Sequence, residues 1–198
     1  MTLREQKKAE TRATILRVAH QLFHAKGFDQ TTLEEICSGA KISKRTLLRY
    51  FPDKEALVFP NRDDRLHGFV AFLDSGPDDE NPFETLRRAT RLFGAQYGEH
   101  QEAILTQQRL VTSSPALRAR ETEIDRDWEA AIAVVFASRL GPGPEAALWS
   151  RVLAGAIMGV VRATMSYWFE GECTDDLTQL GLDAIECLER GFPTVLAN

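Results

Sequence analysis

Four side chains able to read nucleic acid stand together in this chain: Lys44, Arg45, Thr46 and Arg49, directly after Ser43. Ser43, Lys44, Arg45 and Thr46 form the first turn of a helix, and in a DNA reader such first turns face base edges in the major groove. An arginine fork matches the O6 and N7 acceptors of guanine, and Arg45 is the residue expected to make that contact. Lys44 supplies a point charge that either meets phosphate or stays a solvated surface cation. Thr46 and Tyr50 offer hydroxyls to the backbone of a duplex. Thr32, Lys41, Ser43 and Lys54 flank the group and complete the candidate DNA-binding set.

Helical elements must hold these groups, and their ends are written in the sequence. Thr32 followed by Glu35 is a capping box that starts a helix running to about Ala40. Ser43 caps a second helix, Lys44 to about Tyr50, with Leu47 and Phe51 pointing inward. Upstream, Ile15, Leu16, Ala19, Leu22 and Phe23 repeat with helical period from about Glu10 to Ala25, closed by Lys26-Gly27. The arm before Glu10 carries Lys7 and Lys8 and has two readings, a solvated tail or a reach toward the duplex. Downstream, Asp53 caps a helix expected at Lys54, and Pro60 must break it near Phe59. Two short helices joined by a tight turn form the layout of a helix-turn-helix DNA reader.

The rest of the chain is helical in period. Runs are expected over Arg62–Leu73, Phe83–Tyr97, Glu99–Val111, Ala116–Leu140, Glu145–Phe169 and Asp175 to about Arg190. They are separated by a polar loop at 76–82, by Ser113-Ser114-Pro115, by Gly141-Pro142-Gly143-Pro144 and by Gly171. No alternating strand pattern or repeat interrupts them. The expected fold is all-α, with nine or ten helices. A reader over residues 1–55 precedes a ligand-binding and dimerisation bundle over 56–198.

The net charge of −5 over 198 residues hides an asymmetry. Residues 1–59 hold eleven Lys/Arg and seven Asp/Glu, a net +4, which leaves −9 for the remainder. One end is suited to phosphate and the other is not. Cys37, Cys173 and Cys187 form no CxxC pair, so neither a zinc site nor a disulfide framework is indicated. The N-terminus lacks the apolar run of a signal peptide, and Val152–Val161 is too short to span a bilayer. A cytoplasmic protein with no membrane partner is expected. His20 and His24 lie at i, i+4 without a third ligand, so packing is a better reading than metal. No nucleophile elbow, HExxH, P-loop or dinucleotide motif is present, so neither catalytic residues nor a cofactor are expected.

Residues 10–57 resemble the DNA-binding domain of TetR-type transcriptional regulators. The resemblance rests on Ile15, Ala19, Phe23, Gly27, Thr31-Thr32, Ile36, Ala40, Ile42-Ser43, Thr46-Leu47, Tyr50-Phe51-Pro52, Lys54 and Leu57. It implies a homodimer on a near-palindromic double-stranded operator, released when a small molecule fills the C-terminal bundle. Two positions depart from the pattern: Lys41 replaces the usual turn glycine, and Leu48 stands where a tyrosine is frequent. Leu105–Ala133 is similar to the C-terminal domain of mycofactocin-regulator-type members, which implies an acyl-CoA-like effector.

The bundle is rich in aromatic residues, which either fill its core or line an apolar cavity. Phe69, Phe93, Tyr97, Gln108, Trp128, Met165 and Trp168 are the candidate pocket residues, with Tyr97, Trp128 and Trp168 offering polar tips. Small residues over 154–159 permit close helix approach. The family resemblance places a dimer interface on the last two long helices, at Trp149, Val152, Ala156, Gly159, Leu180, Ile185 and Leu188. The expected function is a ligand-responsive repressor. A DNA-binding regulator without inducer, and a ligand-binding bundle with a vestigial reader, are the alternatives left standing.

Overall fold

In the computed structural model, residues 2–77 and 80–190 are described, and every regular element among them is helical. Nine α-helices follow in order: α1 Leu3–Lys26, α2 Leu33–Ala40, α3 Lys44–Tyr50, α4 Arg62–Asp74, α5 Pro82–Gly98, α6 Gln101–Ser113, α7 Pro115–Leu140, α8 Pro144–Glu170 and α9 Leu177–Arg190. The expected runs agree with these to within two residues at most ends. Of the loop expected at 76–82, Asp78 and Asp79 lie outside the described residues.

Two elements differ from expectation. Helix α1 begins at Leu3, not near Glu10, because Thr2 and Glu5 form a capping box of their own. The residues from Leu3 to Glu10 are all exposed, so this extension rests on its cap and on propensity alone. After α3, no α-helix starts at Lys54. Asp53 does cap, accepting from Ala56 N at 2.7 Å. The result is only a 3-10 turn, Glu55–Leu57. Pro60 then follows, Asn61 takes φ +65°, and α4 begins at Arg62.

The chain forms two compact units. The first comprises residues 1–61 together with 109–121, and the second comprises 62–108 together with 122–198. This division is drawn differently from the expected 1–55 and 56–198. The reason lies in the core of the first unit. Ile15, Ala19, Phe23, Ile36, Leu47, Phe51 and Leu57 of α1 to the 3-10 turn are joined by Val111 of α6 and Leu117 of α7. Two polar contacts support the inserted segment. Buried Ser114 donates to Asp29 Oδ1 at 2.8 Å, and Arg120 pairs with Asp53 at 3.5 Å. Gly39 sits so close to Val18 that an added Cβ would lie 2.7 Å from its Cγ1, which fixes the approach of α2 to α1.

The second unit packs Leu73, Leu86, Ala89, Ile132, Phe136, Ala154, Ile157, Met158 and Ile185 into one core. Helix α9 lies on α5 through two glycines: a Cβ on Gly181 would meet Thr90, and one on Gly94 would meet Thr178. The end of α4 has no glycine cap. Arg88 of α5 and Arg139 of α7 donate instead to the Phe72 and Leu73 carbonyls. Both arginines are held by the Glu80–Thr85 pair, and the Arg88 guanidinium keeps the Glu80 carboxyl below the usual carboxylate range.

Candidate nucleic-acid interface

The turn between α2 and α3 is built from hydrogen bonds that a glycine would ordinarily serve. Ile42 N donates to Cys37 O at 3.0 Å and Lys41 N to Ser38 O at 3.2 Å, the pairing of a Schellman motif. Its left-handed position is Lys41, at φ 53°, ψ 45°. A non-glycine residue there costs about 1 kcal/mol. The Lys41 side chain is exposed beside the start of α3.

Ser43 then caps α3, accepting from Thr46 N at 3.1 Å. Its hydroxyl also bonds the Thr46 hydroxyl at 2.9 Å. Thr46 therefore has a partner inside the cap, which explains a threonine in the first turn without invoking phosphate. Leu47 turns into the core with no exposed surface, and half-buried Tyr50 packs against that core beneath the Arg49 guanidinium. The opposite face presents Lys44, Arg45, Leu48 and Arg49, which line an open surface groove. Of the four side chains expected to read nucleic acid, Lys44, Arg45 and Arg49 stand on this exposed face and Thr46 stands in the cap. Leu48, 40% exposed, contributes an apolar surface where a hydroxyl would otherwise sit.

Two expected backbone contacts are engaged within the protein. Lys54 Nζ donates to Phe28 O and Thr31 O, each at 2.9 Å, and lies 4.1 Å from the Phe28 ring centre. The ammonium ties the α1–α2 loop and keeps one of its three donors. Thr32 is taken up by its capping box: its amide donates to Glu35 Oε2 at 2.9 Å, and its hydroxyl accepts from Glu35 N. Glu35 also holds Lys26 at 2.6 Å. The Lys26 bond, then the Thr32 amide, lowers the Glu35 pKa to about 2. Glu34 pairs with Lys44 at 2.8 Å. The positive end of α2 is thereby partly compensated by its own carboxylates.

His20 is exposed, with its Nε2 lying 3.2 Å from Leu57 O. On α1, the Arg12 guanidinium sits 5.1 Å from the Phe51 ring centre.

Within the second unit, three candidate pocket residues meet. Phe69 of α4 contacts Phe93 of α5 at 5.3 Å and Trp128 of α7 at 4.9 Å between ring centres. Phe72, one of the bundle aromatics outside the candidate pocket set, joins through Phe93 at 5.6 Å. It lies three residues from Phe69, so the helical period held that signal. Tyr97 accepts from Arg65 Nη2, whose guanidinium lies over its ring. Arg62 pairs with Asp127. Trp168 belongs elsewhere. It is wholly buried, and its indole N–H donates to Asp175 O at 2.9 Å, pinning the α8–α9 turn. Met165 and Gln108 are half-buried and are not among the side chains packed on that unit's core.

The expected interface residues divide. Trp149 and Val152 are 56% and 51% exposed, large apolar groups facing out of α8. Leu148 and Tyr167 extend the same exposed apolar surface. Ala156, Gly159, Leu180 and Leu188 are half-buried. Ile185 is corrected: at 4% exposure it packs into the core of its own unit. Helix α8 is also long and apolar enough to cross a membrane by length and composition, with an 18-residue window of mean hydropathy 1.3. Arg151 and Arg162 interrupt its outer face.

Comparison with known proteins fits this geometry. The family model described as bacterial regulatory proteins, tetR family, matches residues 15–59, and that of the MftR C-terminal domain matches residues 80–193. The chain is 27% identical over 179 residues to the HTH-type transcriptional regulator TcmR of Streptomyces glaucescens, covering 87% of this chain and 79% of that protein. It is 25% identical over 175 residues to MftR of Mycobacterium tuberculosis, named for transcriptional regulation of mycofactocin biosynthesis, covering 88% of each. Among solved structures, FadR of Thermus thermophilus, a TetR family repressor in complex with lauroyl-CoA, aligns with a TM-score of 0.57 at 21% identity. That alignment covers 91% of this chain and 94% of that one.

Proposed function

The chain belongs to the tetR family of bacterial regulatory proteins, with a C-terminal domain of the MftR type, and from that premise we propose that it is a ligand-responsive repressor. As a transcriptional regulator of this family, it acts through DNA. The observation that carries the reading is the exposed face of α3, where Lys44, Arg45 and Arg49 surround one groove while Leu47 anchors the helix from behind. In this reading Arg45 contacts guanine, and Lys41, Lys44 and Arg49 meet phosphate or base edges. Ser43 and Thr46 hold the first turn, and Thr32, Tyr50 and Lys54 border the duplex.

The effector is a small molecule with an apolar chain and an anionic head. Arg62, Arg65, Phe69 and Phe72 recur along α4 at helical spacing. Phe93, Tyr97 and Trp128 meet them from α5 and α7. Aromatic rings beside two guanidinium groups suit an acyl chain joined to phosphate. The lauroyl-CoA held by the FadR of Thermus thermophilus supports that chemistry. Two copies of the chain pair through the exposed apolar face of α8, which sets two α3 helices into successive major grooves. The protein works in the cytoplasm, where its operator is.

The test is selection of bound fragments from genomic DNA, followed by fluorescence anisotropy on the selected duplex at two salt concentrations. Binding is expected to exceed that to random duplex, to weaken with salt and to fall in the Arg45→Ala, Thr46→Ala double variant. Loss of a bidentate guanine contact alone is worth about 1–3 kcal/mol, or about 5- to 150-fold. Lauroyl-CoA is then expected to displace the duplex. Selection with no enrichment would sink the reader. Enrichment with no response to acyl-CoA of any chain length would leave a regulator without this inducer.

A further inference from the structure

Among the described residues, Lys44 is the one cation of the α3 groove with a carboxylate partner: its Nζ lies 2.8 Å from Glu34 Oε1. Both side chains are more than half exposed. Glu34 sits in the first turn of α2 and Lys44 in the first turn of α3, so the pair bridges the two helices of the reader. The mutual influence is consistent: Lys44 lowers the Glu34 pKa through its hydrogen bond, and Glu34 raises that of Lys44. By contrast, Glu35 already has the capping box and Lys26. Capping does not require Glu34, and an acidic residue beside a phosphate-binding groove works against DNA affinity. Its position calls for another role.

We propose that Glu34 is a specificity-determining residue that occupies Lys44 whenever the reader rests on non-operator DNA. An exposed ion pair is weak enough to open. On random sequence, phosphates pass Lys44 without being held in register, none displaces Glu34, the pair stays closed and one phosphate contact is withheld. On the operator, Arg45 and Arg49 fix the register, a duplex acceptor is held beside Lys44, and the pair opens. Glu34 thus lowers background binding by a greater factor than it lowers operator binding. This inference rests on the assignment of α3 as the DNA reader.

The experiment measures affinity of the full-length protein for a random-sequence 30-base-pair duplex across a salt series, for native, Glu34→Gln, Lys44→Gln and the double variant. Each phosphate contact contributes about 0.9 to the slope of log K against log salt. Glu34→Gln in the native background is expected to steepen the slope by about 0.9, and to raise affinity at 0.1 M salt by about eightfold if the lines meet at 1 M. The same change in the Lys44→Gln background is expected to leave the slope where that variant has it. On the selected operator, Glu34→Gln is expected to lower the ratio of operator to random affinity. An equal steepening in both backgrounds would show Glu34 acting as a free charge and overturn the proposal, as would no steepening in either, or an unchanged ratio. Native protein with no salt-dependent DNA binding would instead overturn the reader assignment on which the proposal rests. Circular dichroism melting of each variant separates loss of fold from loss of contact.

Discussion

Leu117 lies far along the chain from the reader in sequence, yet it has no exposed surface and sits in the reader's core with Val111, Ile15 and Phe51. Leu117→Ala removes three carbons from a closed site. Substitutions of this kind cost the transfer free energy of the lost groups plus a cavity term, on the order of 3 kcal/mol here. That cost falls on the unit of residues 1–61 and 109–121, not on the core around Phe136 and Ile157. Opening of the reader becomes easier by exp(3/0.59), about a hundredfold or slightly more. Hydrogen exchange followed by mass spectrometry reads this by location. Peptides from the second half of α1 and from α2 and α3 are expected to exchange about a hundredfold faster. Peptides from α5 and α9 keep the native rate. DNA affinity falls by the fraction of readers left open. Acceleration confined to α5, α8 and α9, or less than about threefold in α1 and α3, would refute the assignment of Leu117 to the reader's core.

Two further outcomes are expected. Val152→Glu places a charge on the exposed apolar face of α8, and sedimentation velocity is expected to show monomer where the native protein sediments as dimer; an unchanged dimer would move the interface elsewhere. The Glu35 carboxyl titrates near pH 2 in the folded protein because of Lys26 and the Thr32 cap, against an ordinary value of 4.5. Its stabilising contribution is therefore complete above about pH 4.5 and is lost as pH falls toward about 2. Glu35→Gln is expected to flatten the pH dependence of the melting temperature in that window, and a profile parallel to the native one would count against the pair.

Much of the fold was legible because the chain marks its helix ends chemically. Thr32 with Glu35, Ser43 before Lys44, Gly27, Pro144 and Gly171 are local signals whose action does not depend on distant residues. The same rule applies to Thr2 with Glu5, three residues apart, although Lys7 and Lys8 beside them also fit a solvated tail. Lys44 and Arg45 were legible for a related reason: they follow the Ser43 cap, in the first turn of their helix. What sequence could not supply was long-range pairing. Nothing in the pattern around Val111 and Leu117 distinguishes a bundle core from a reader core. Lys54 read as a phosphate contact because its own neighbours do not reveal the Phe28 and Thr31 carbonyls that hold it. Trp168 and Ile185 are likewise apolar groups on helices whose facing partners only the fold decides. Asp175 takes the indole of one, and the second unit's core takes the other.

The divided composition of the reader has a consequence for how the protein is made. Helix α3 leaves the ribosome early, but the unit that holds it includes residues 109–121, which follow the whole of 62–108. Domains close only when their last contributing segment has emerged, and such distant pairings form slowly. A nascent chain therefore cannot hold an operator until well past its midpoint. A gene interrupted before codon 121 would yield fragments with an open apolar core around Ile15 and Phe51. Such fragments are expected to be degraded rather than to compete with the intact protein.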